Sequence, residues 1–234
     1  PIPMTPFSAA DATDVEVGPT HHAYIWRGRR VRVGIGGEFN LMNSLAAATA
    51  CAVAGLDEDT IAAALGEARP VPGRFEPIDA GQPFSVVVDY AHTPDGLRQL
   101  LGAARELTRG RVLIVFGAGG DRDPGKRPQM GEAAGELADL VVLTTDNPRG
   151  EDPAAIIEAV RSGIDAPTDL RIEPDRAAAI ALAVAEAQAG DVLLVAGKGH
   201  ETVQVVGDVA TPFDDRAVLR DALAAAGWRT EASA

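Results

Sequence analysis

At 234 residues and 46% apolar content, the chain can bury a full core as one large domain or two small ones. A formal charge of −13, spread along the chain without a basic stripe, argues against a nucleic-acid partner. No apolar run reaches the roughly 18–20 residues that a bilayer demands, so no membrane partner is expected. The single cysteine, Cys51, lies in an Ala-rich run; it excludes a disulfide framework and is expected to be a buried small hydrophobe in a reducing, cytoplasmic setting. No charged-then-apolar signal segment is present, and a start at Pro1 in Pro- and Asp-rich sequence reads as a fragment.

In chain order, residues 22–35 alternate as a hairpin around Arg27-Gly28-Arg29-Arg30. A helix is expected from about Asn40, with Leu41, Leu45 and Ala48 on one face. A second is expected over residues 56–65, with Asp57 or Asp59 near its start. Pro70, Pro72 and Gly73 then interrupt the pattern and mark a boundary between 1–72 and 73–234. The front piece has too few strands to be an independent α/β domain.

Beyond Gly73 the rhythm is strand, loop, helix, repeated. Residues 85–89, 111–116, 140–144, 170–172 and 192–196 read as strands. Between them run amphipathic stretches carrying Leu97, Leu100, Leu101, Ala104 and Leu107; then Met130, Ala133, Ala134 and Leu137; then Ile156, Ile157 and Val160; then residues 178–184. This alternation predicts an α/β fold, a mostly parallel sheet covered on both faces. A hairpin around Gly207-Asp208 and a last helix capped by Asp214 or Asp215 and ending near Ala225 complete the chain.

Four loops after these strands hold the chemistry: Asp89-Tyr90-Ala91-His92-Thr93-Pro94, Gly117-Ala118-Gly119-Gly120-Asp121-Arg122-Asp123, Asp146-Asn147-Pro148-Arg149 and Gly197-Lys198-Gly199-His200-Glu201. Open α/β sheets bind ligands outside the carboxyl ends of their strands. Gly120-x4-Gly125-Lys126 imitates a phosphate loop, but Arg127 replaces the Ser or Thr that would hold Mg²⁺, and Asp121 and Asp123 would repel phosphate. A dinucleotide fingerprint fails as well, with Arg122 at the third glycine position, which disfavours a nicotinamide-dependent oxidoreductase. What remains is a loop presenting Arg122 to a carboxylate, or pairing it with Asp121 or Asp123 as structural glue. Asp146, Asn147 and Arg149 add an ammonium acceptor, an amide and a second guanidinium. Gly197 and Gly199 are expected to let backbone approach a ligand beside Glu201. His92 and His200 are candidate acid–base groups or merely satisfied polar residues. Only two lysines occur, Lys126 and Lys198, against nineteen arginines; Lys198 is the stronger candidate for a place that requires a compact ammonium.

The motif order GRFE, DYAHTP, FGAGGDRDPGKRP, TTDNPRGEDP, KGHE and FDDR resembles the Mur ligases of peptidoglycan synthesis, and among them the branch that adds meso-diaminopimelate. The resemblance implies a Rossmann-like C-terminal ligase domain over 73–234, preceded over 1–72 by the tail of a central ATPase domain. It implies an ATP- and Mg-dependent carboxylate–amine ligase acting through an acyl phosphate on UDP-MurNAc-L-Ala-D-Glu, working as a monomer on small-molecule substrates. By motif, Arg122, Asp146, Asn147, Pro148, Arg149, Gly197 and Glu201 match a diaminopimelate pocket. Asn40 and Asn43 match positions near adenine, and Arg74, Asp89 and His92 the part that closes over ATP. The family's phosphate loop, Mg²⁺ ligands, modified lysine and uridine-binding domain have no counterpart in this sequence. No catalytic or metal residue is therefore assigned, and no turnover is expected of the chain alone. A stand-alone amino-acid-binding module and a lysine-adding relative are the competing readings.

Overall fold

A computed structural model describes residues 4–165 and 168–229. The chain divides into two compact units, Pro1–Val71 and Pro72–Ala234.

In the first unit, Ser8 caps a short 3-10 turn, Ala9–Asp11, which leads into β1 (Ala12–Val17). The expected hairpin is β2 (His22–Trp26) and β3 (Arg29–Val33), paired from Trp26↔Arg29 to His22↔Val33. Its two-residue turn places Arg27 and Gly28 at φ 46° and 76°, the doubly left-handed geometry that matches the twist of the flanking strands. β1 adds to β2, giving a three-stranded antiparallel sheet. Two helices follow, α1 (Glu38–Val53) and α2 (Glu58–Gly66), the latter capped by Asp57 through Thr60 N. Trp26, Tyr24, Val31, Val33, Leu41, Leu45, Ala48 and Ile61 form one core, so this piece has an interior of its own without being α/β. Cys51 is half-buried against that core rather than buried within it, because its side of α1 lies at the rim.

In the second unit, β4 (Glu76–Pro77), β5 (Ser85–Asp89), α3 (Pro94–Leu107), β6 (Val112–Phe116), α4 (Lys126–Leu137), β7 (Leu140–Leu143), α5 (Pro153–Arg161), β8 (Asp169–Ile172), α6 (Arg176–Glu186) and β9 (Val192–Ala196) succeed one another. The hairpin β10 (Val203–Val206) and β11 (Val209–Pro212) and the helix α7 (Asp215–Ala225) close the unit. Thr93, Asp152, Asp175 and Asp214 cap α3, α5, α6 and α7 with side-chain oxygens, and Pro94 and Pro153 occupy first turns where no N–H is needed. The six-stranded sheet has the order β4-β5-β9-β6-β7-β8, parallel throughout except for the short edge strand β4, which the sequence did not signal. Val86, Val88, Leu113, Val115, Leu140, Val142, Leu193 and Val195 bury one face against α6 and α7. The alternate residues, among them Val87, Ile114, Val141 and Leu194, are equally buried on the side of α3 and α5. Burial on both faces explains the unbroken apolar runs of these strands.

The order of the strands matters most. β9, last of the parallel strands in sequence, lies between β5 and β6. Its trailing loop, 197–201, therefore sits between those of β5 and β6, with the β7 loop next. At about 4.8 Å per strand, the four loops share a front roughly 15 Å wide.

Candidate functional site

Those loops enclose a cleft of about 280 Å³. Arg122, Asp146, Asn147, Arg149, Gly197 and Glu201 all line it, and so does His92. Arg122, Arg149 and Glu201 thus face one shared cavity, the arrangement on which a two-ended ligand grip depends. Pro148 is buried behind the loop and is not among the lining residues, nor are Asp89 and Arg74.

The acidic side rests on a buried polar network. Asn147 Nδ2 donates to Glu201 Oε2 at 2.7 Å, while Asn147 Oδ1 accepts from Lys198 Nζ and from Val205 N, each at 3.0 Å. Lys198 is fully buried, and its ammonium also lies 3.5 Å from Glu201 Oε2. Asp146 is buried beside them; burial pushes its carboxyl above the usual range, and the charges of Arg176 and Lys198 pull it back. Arg176 and Asp215 are both inaccessible and form a two-pronged pair at 2.7 and 2.8 Å, and Arg176 Nη2 also donates to Ala196 O at 2.9 Å. Two basic and three acidic side chains thus meet in this network. Arg176 had no signal in the sequence beyond a charged residue abutting an apolar run, whereas Lys198 stood out as one of only two lysines though its partners did not.

The basic side has a different construction. Arg122 makes no carboxylate contact among the described residues; its Nη1 donates to the Asp121 carbonyl at 3.4 Å. Asp121 instead accepts from Gly150 N at 3.1 Å. Arg149 adopts φ 50°, a left-handed backbone uncommon outside glycine. Its N–H donates to Val205 O at 3.1 Å and its carbonyl accepts from Gly207 N at 2.7 Å, so the β10–β11 hairpin holds the conformation. Its Nη1 donates to Gly120 O at 2.8 Å. Beneath, buried Arg127 grips Glu151 through Nη1 and Nη2, both at 2.8 Å, and Glu151 also accepts from Asp121 N at 2.6 Å. The residue that spoils a phosphate loop therefore braces the β6 and β7 loops together.

Gly197 lines the cleft, and the space that a Cβ would need beside Gly197 and Gly199 is filled by the protein itself. Gly197 has φ 112°, and a Cβ there would stand 2.7 Å from Asp146 Oδ2. At Gly199, φ 53°, a Cβ would meet Gly73 O and Tyr90 Cβ, both at 2.7 Å.

On the β5 loop, buried Asp89 accepts from Phe75 N and Ala91 N, each at 2.7 Å, yet burial raises its carboxyl above the ordinary range. Arg74 stacks over Tyr90 at 4.4 Å, and Tyr90 packs against His92 and His200 at 4.6 and 5.1 Å between ring centroids. His92 Nδ1 lies 2.7 Å from the Tyr90 carbonyl, which fixes the proton on Nδ1 and leaves Nε2 as an acceptor in the neutral ring. In the other unit, Asn40 Nδ2 donates to Gly36 O at 2.7 Å and Asn43 Nδ2 to Asn40 Oδ1 at 3.0 Å, on the first turns of α1.

No group of three or more His, Cys, Asp or Glu side chains that could hold a metal ion is found among the described residues. Lys126 is exposed at the start of α4. No helix is long and apolar enough to cross a membrane among the described residues.

Parallel-sheet topology with a charged cleft at the strand ends defines the second unit as an open-sheet α/β domain. Residues 73–199 match the family described as Mur ligase, glutamate ligase domain, and the chain belongs to the Mur ligase family. It is similar to a UDP-N-acetylmuramoyl-L-alanyl-D-glutamate–2,6-diaminopimelate ligase of Geobacillus kaustophilus, 51% identical over 188 residues, 80% of this chain and 38% of that protein. A protein of the same description from Streptomyces avermitilis is 46% identical over 239 residues, 95% of this chain and 47% of its own. A solved structure of a ligase with that name superposes with TM-score 0.69 at 37% identity, covering 92% of this chain and 45% of the other. The chain therefore spans less than half the length of these relatives.

Proposed function

We propose that this chain is the amino-acid-binding part of an ATP-dependent ligase that adds meso-diaminopimelate to UDP-MurNAc-L-Ala-D-Glu during peptidoglycan synthesis in the cytoplasm. The observation that carries the reading is the shared cleft, with free Arg122 and hairpin-held Arg149 on one side and Glu201 and Asp146 on the other. The distal end of diaminopimelate bears a carboxylate and an ammonium. A guanidinium wall suits the first by two-pronged hydrogen bonding, and the carboxylate-rich wall suits the second. Lysine has only the ammonium there and would leave the arginines desolvated without a partner, a penalty larger than a lost contact.

In the ligase reaction, ATP transfers its terminal phosphoryl group to the D-Glu side-chain carboxylate. The amine of diaminopimelate attacks the acyl carbon, and inorganic phosphate departs as the amide forms and the amine loses a proton. Holding the far end of the nucleophile is this chain's share, because positioning converts an encounter into an intramolecular-like step. Residues 1–72 fit the reading as the tail of the ATP-binding domain, with Asn40 and Asn43 toward adenine; Arg74, Asp89 and His92 fit the ATP-facing surface of the second unit. No step is assigned here to Mg²⁺.

Isothermal titration of the 234-residue chain tests the proposal. It should bind meso-diaminopimelate at least roughly tenfold more tightly than L-lysine, the worth of one charge-assisted contact. Equal affinity for the two would overturn the assignment. The chain alone should release no phosphate from ATP above background.

A further inference from the structure

We propose that Lys198 is a positioning residue for this cleft: its buried ammonium locks the Asn147 amide in the one orientation that clamps Glu201 at the ligand wall. The inference rests on the reading that the cleft takes an ammonium-bearing amino acid, and it names a residue that never touches that ligand, since Lys198 is wholly inaccessible.

The hydrogen bonds leave little freedom. Asn147 Oδ1 receives two donors, Lys198 Nζ and Val205 N, both at 3.0 Å, which fills the two lone pairs of an amide oxygen. The NH2 group must then lie on the opposite side, where it donates to Glu201 Oε2 at 2.7 Å. That same oxygen lies 3.5 Å from Lys198 Nζ, so one carboxylate oxygen is held from two directions. The other, Oε1, has no protein partner among the described residues and is available to a ligand donor. Val205 extends the arrangement across the cleft. Its N–H bonds Asn147, and its carbonyl accepts from Arg149 N at 3.1 Å. One residue of β10 thereby sets the acidic and the basic walls in register.

The chemistry explains why lysine persists in a chain that otherwise chooses arginine. A compact ammonium fits a sealed space between an amide and a carboxylate; a planar guanidinium with five donors does not. Charge supplies the second half of the role. Asp146 faces Arg176 from α6, Asp215 from α7, and Lys198 and Glu201 from the loop after β9. Arg176 is already committed to Asp215 by two bonds. Lys198 is, with Arg176, one of the two cations whose charge favours the ionised form of Asp146.

The test compares Lys198→Met and Lys198→Arg with the unaltered 234-residue chain by titration with meso-diaminopimelate from pH 6 to 9. Lys198→Met should bind at least about tenfold more weakly at neutral pH, and part of the loss should be recovered as pH rises and Asp146 ionises. Lys198→Arg should not restore affinity. A folded Lys198→Met with unchanged affinity and unchanged pH profile would sink the idea. Carboxyl NMR of Asp146 gives a readout that needs no ligand: its titration should move to higher pH in Lys198→Met, and an unmoved titration overturns the positioning role. If the unaltered chain fails to bind meso-diaminopimelate, the functional reading falls, while that ligand-free comparison still decides the part played by Lys198. Should Lys198→Met not fold, the unaltered chain suffices, because two lysines give two assignable ammonium signals. That of Lys198 should exchange slowly with solvent and shift on adding meso-diaminopimelate, whereas fast exchange with no response refutes the proposal.

Discussion

Each unit buries polar side chains, and they do so on opposite principles. In the first, His22 is fully buried and stacks on Tyr24 with ring planes 9° apart. Its Nδ1 lies 2.7 Å from the Ile35 carbonyl and its Nε2 2.9 Å from the Ser44 hydroxyl. Burial lowers the imidazole pKa and keeps the ring neutral, so two uncharged partners satisfy it. In the second unit the ionisable side chains Lys198, Arg176, Asp146 and Asp215 are buried around a cleft. Buried ion networks are poor stabilisers compared with apolar packing. A neutral, satisfied pair is what structure alone requires. A buried network of ionisable groups is what the proposed ammonium-bearing ligand would draw on.

If that contrast is right, the largest effect belongs to Arg176→Met, which strands Asp215 uncompensated in the interior. Thermal unfolding should report a loss of roughly 3–5 kcal/mol, and Arg176→Met with Asp215→Leu should recover most of it. A smaller effect comes from two glycines with similar backbones. Gly197→Ala combines a left-handed φ with a clash against Asp146 and should cost roughly 2–4 kcal/mol and abolish meso-diaminopimelate binding. Gly55, φ 93°, ends α1 in open space, so Gly55→Ala should cost only about 1 kcal/mol in chemical denaturation and leave binding untouched. Equal costs at the two sites would show that backbone strain, not the neighbouring carboxylate, governs Gly197.

Acid should have the smallest effect, with opposite signs in the two units. The folded pKa of His22 lies below its ordinary value of 6.5, so an unfolded chain binds the proton more readily. The stability it contributes is complete above pH 6.5 and is lost as pH falls from there through the lowered folded value, at no more than about 1.4 kcal/mol per pH unit. Asp146 behaves in reverse: raised above 3.8, its contribution is complete at low pH and is lost as pH rises through the folded value. Hydrogen exchange between pH 8 and 5 should therefore show β2 and β3 loosening with acid while the amides around Asp146 do not. Parallel loosening of both regions would contradict the assignment of His22 as the neutral one.

Much of this molecule is legible in its chain. Alternation in residues 22–35, the Asp57 and Asp214 caps, and unbroken apolar runs ending in polar loops announce the hairpins, helices and buried strands. Local periodicity and capping are short-range, so they survive in one dimension. The loops that hold Arg122, Asp146, Arg149 and Glu201 were visible for the same reason. Their assembly was not. Placing β9 between β5 and β6 brings residues 197–201 beside loops up to about a hundred positions earlier, and no local pattern encodes that insertion. Likewise, Lys198 and Asn147 meet across 51 positions and Arg176 and Asp215 across 39, pairings that exist only once the sheet has closed. Short-range preferences wrote the elements and supplied the reactive side chains, but burial around a closed sheet chose which charges share a space, because desolvation acts on neighbours in space and not in sequence.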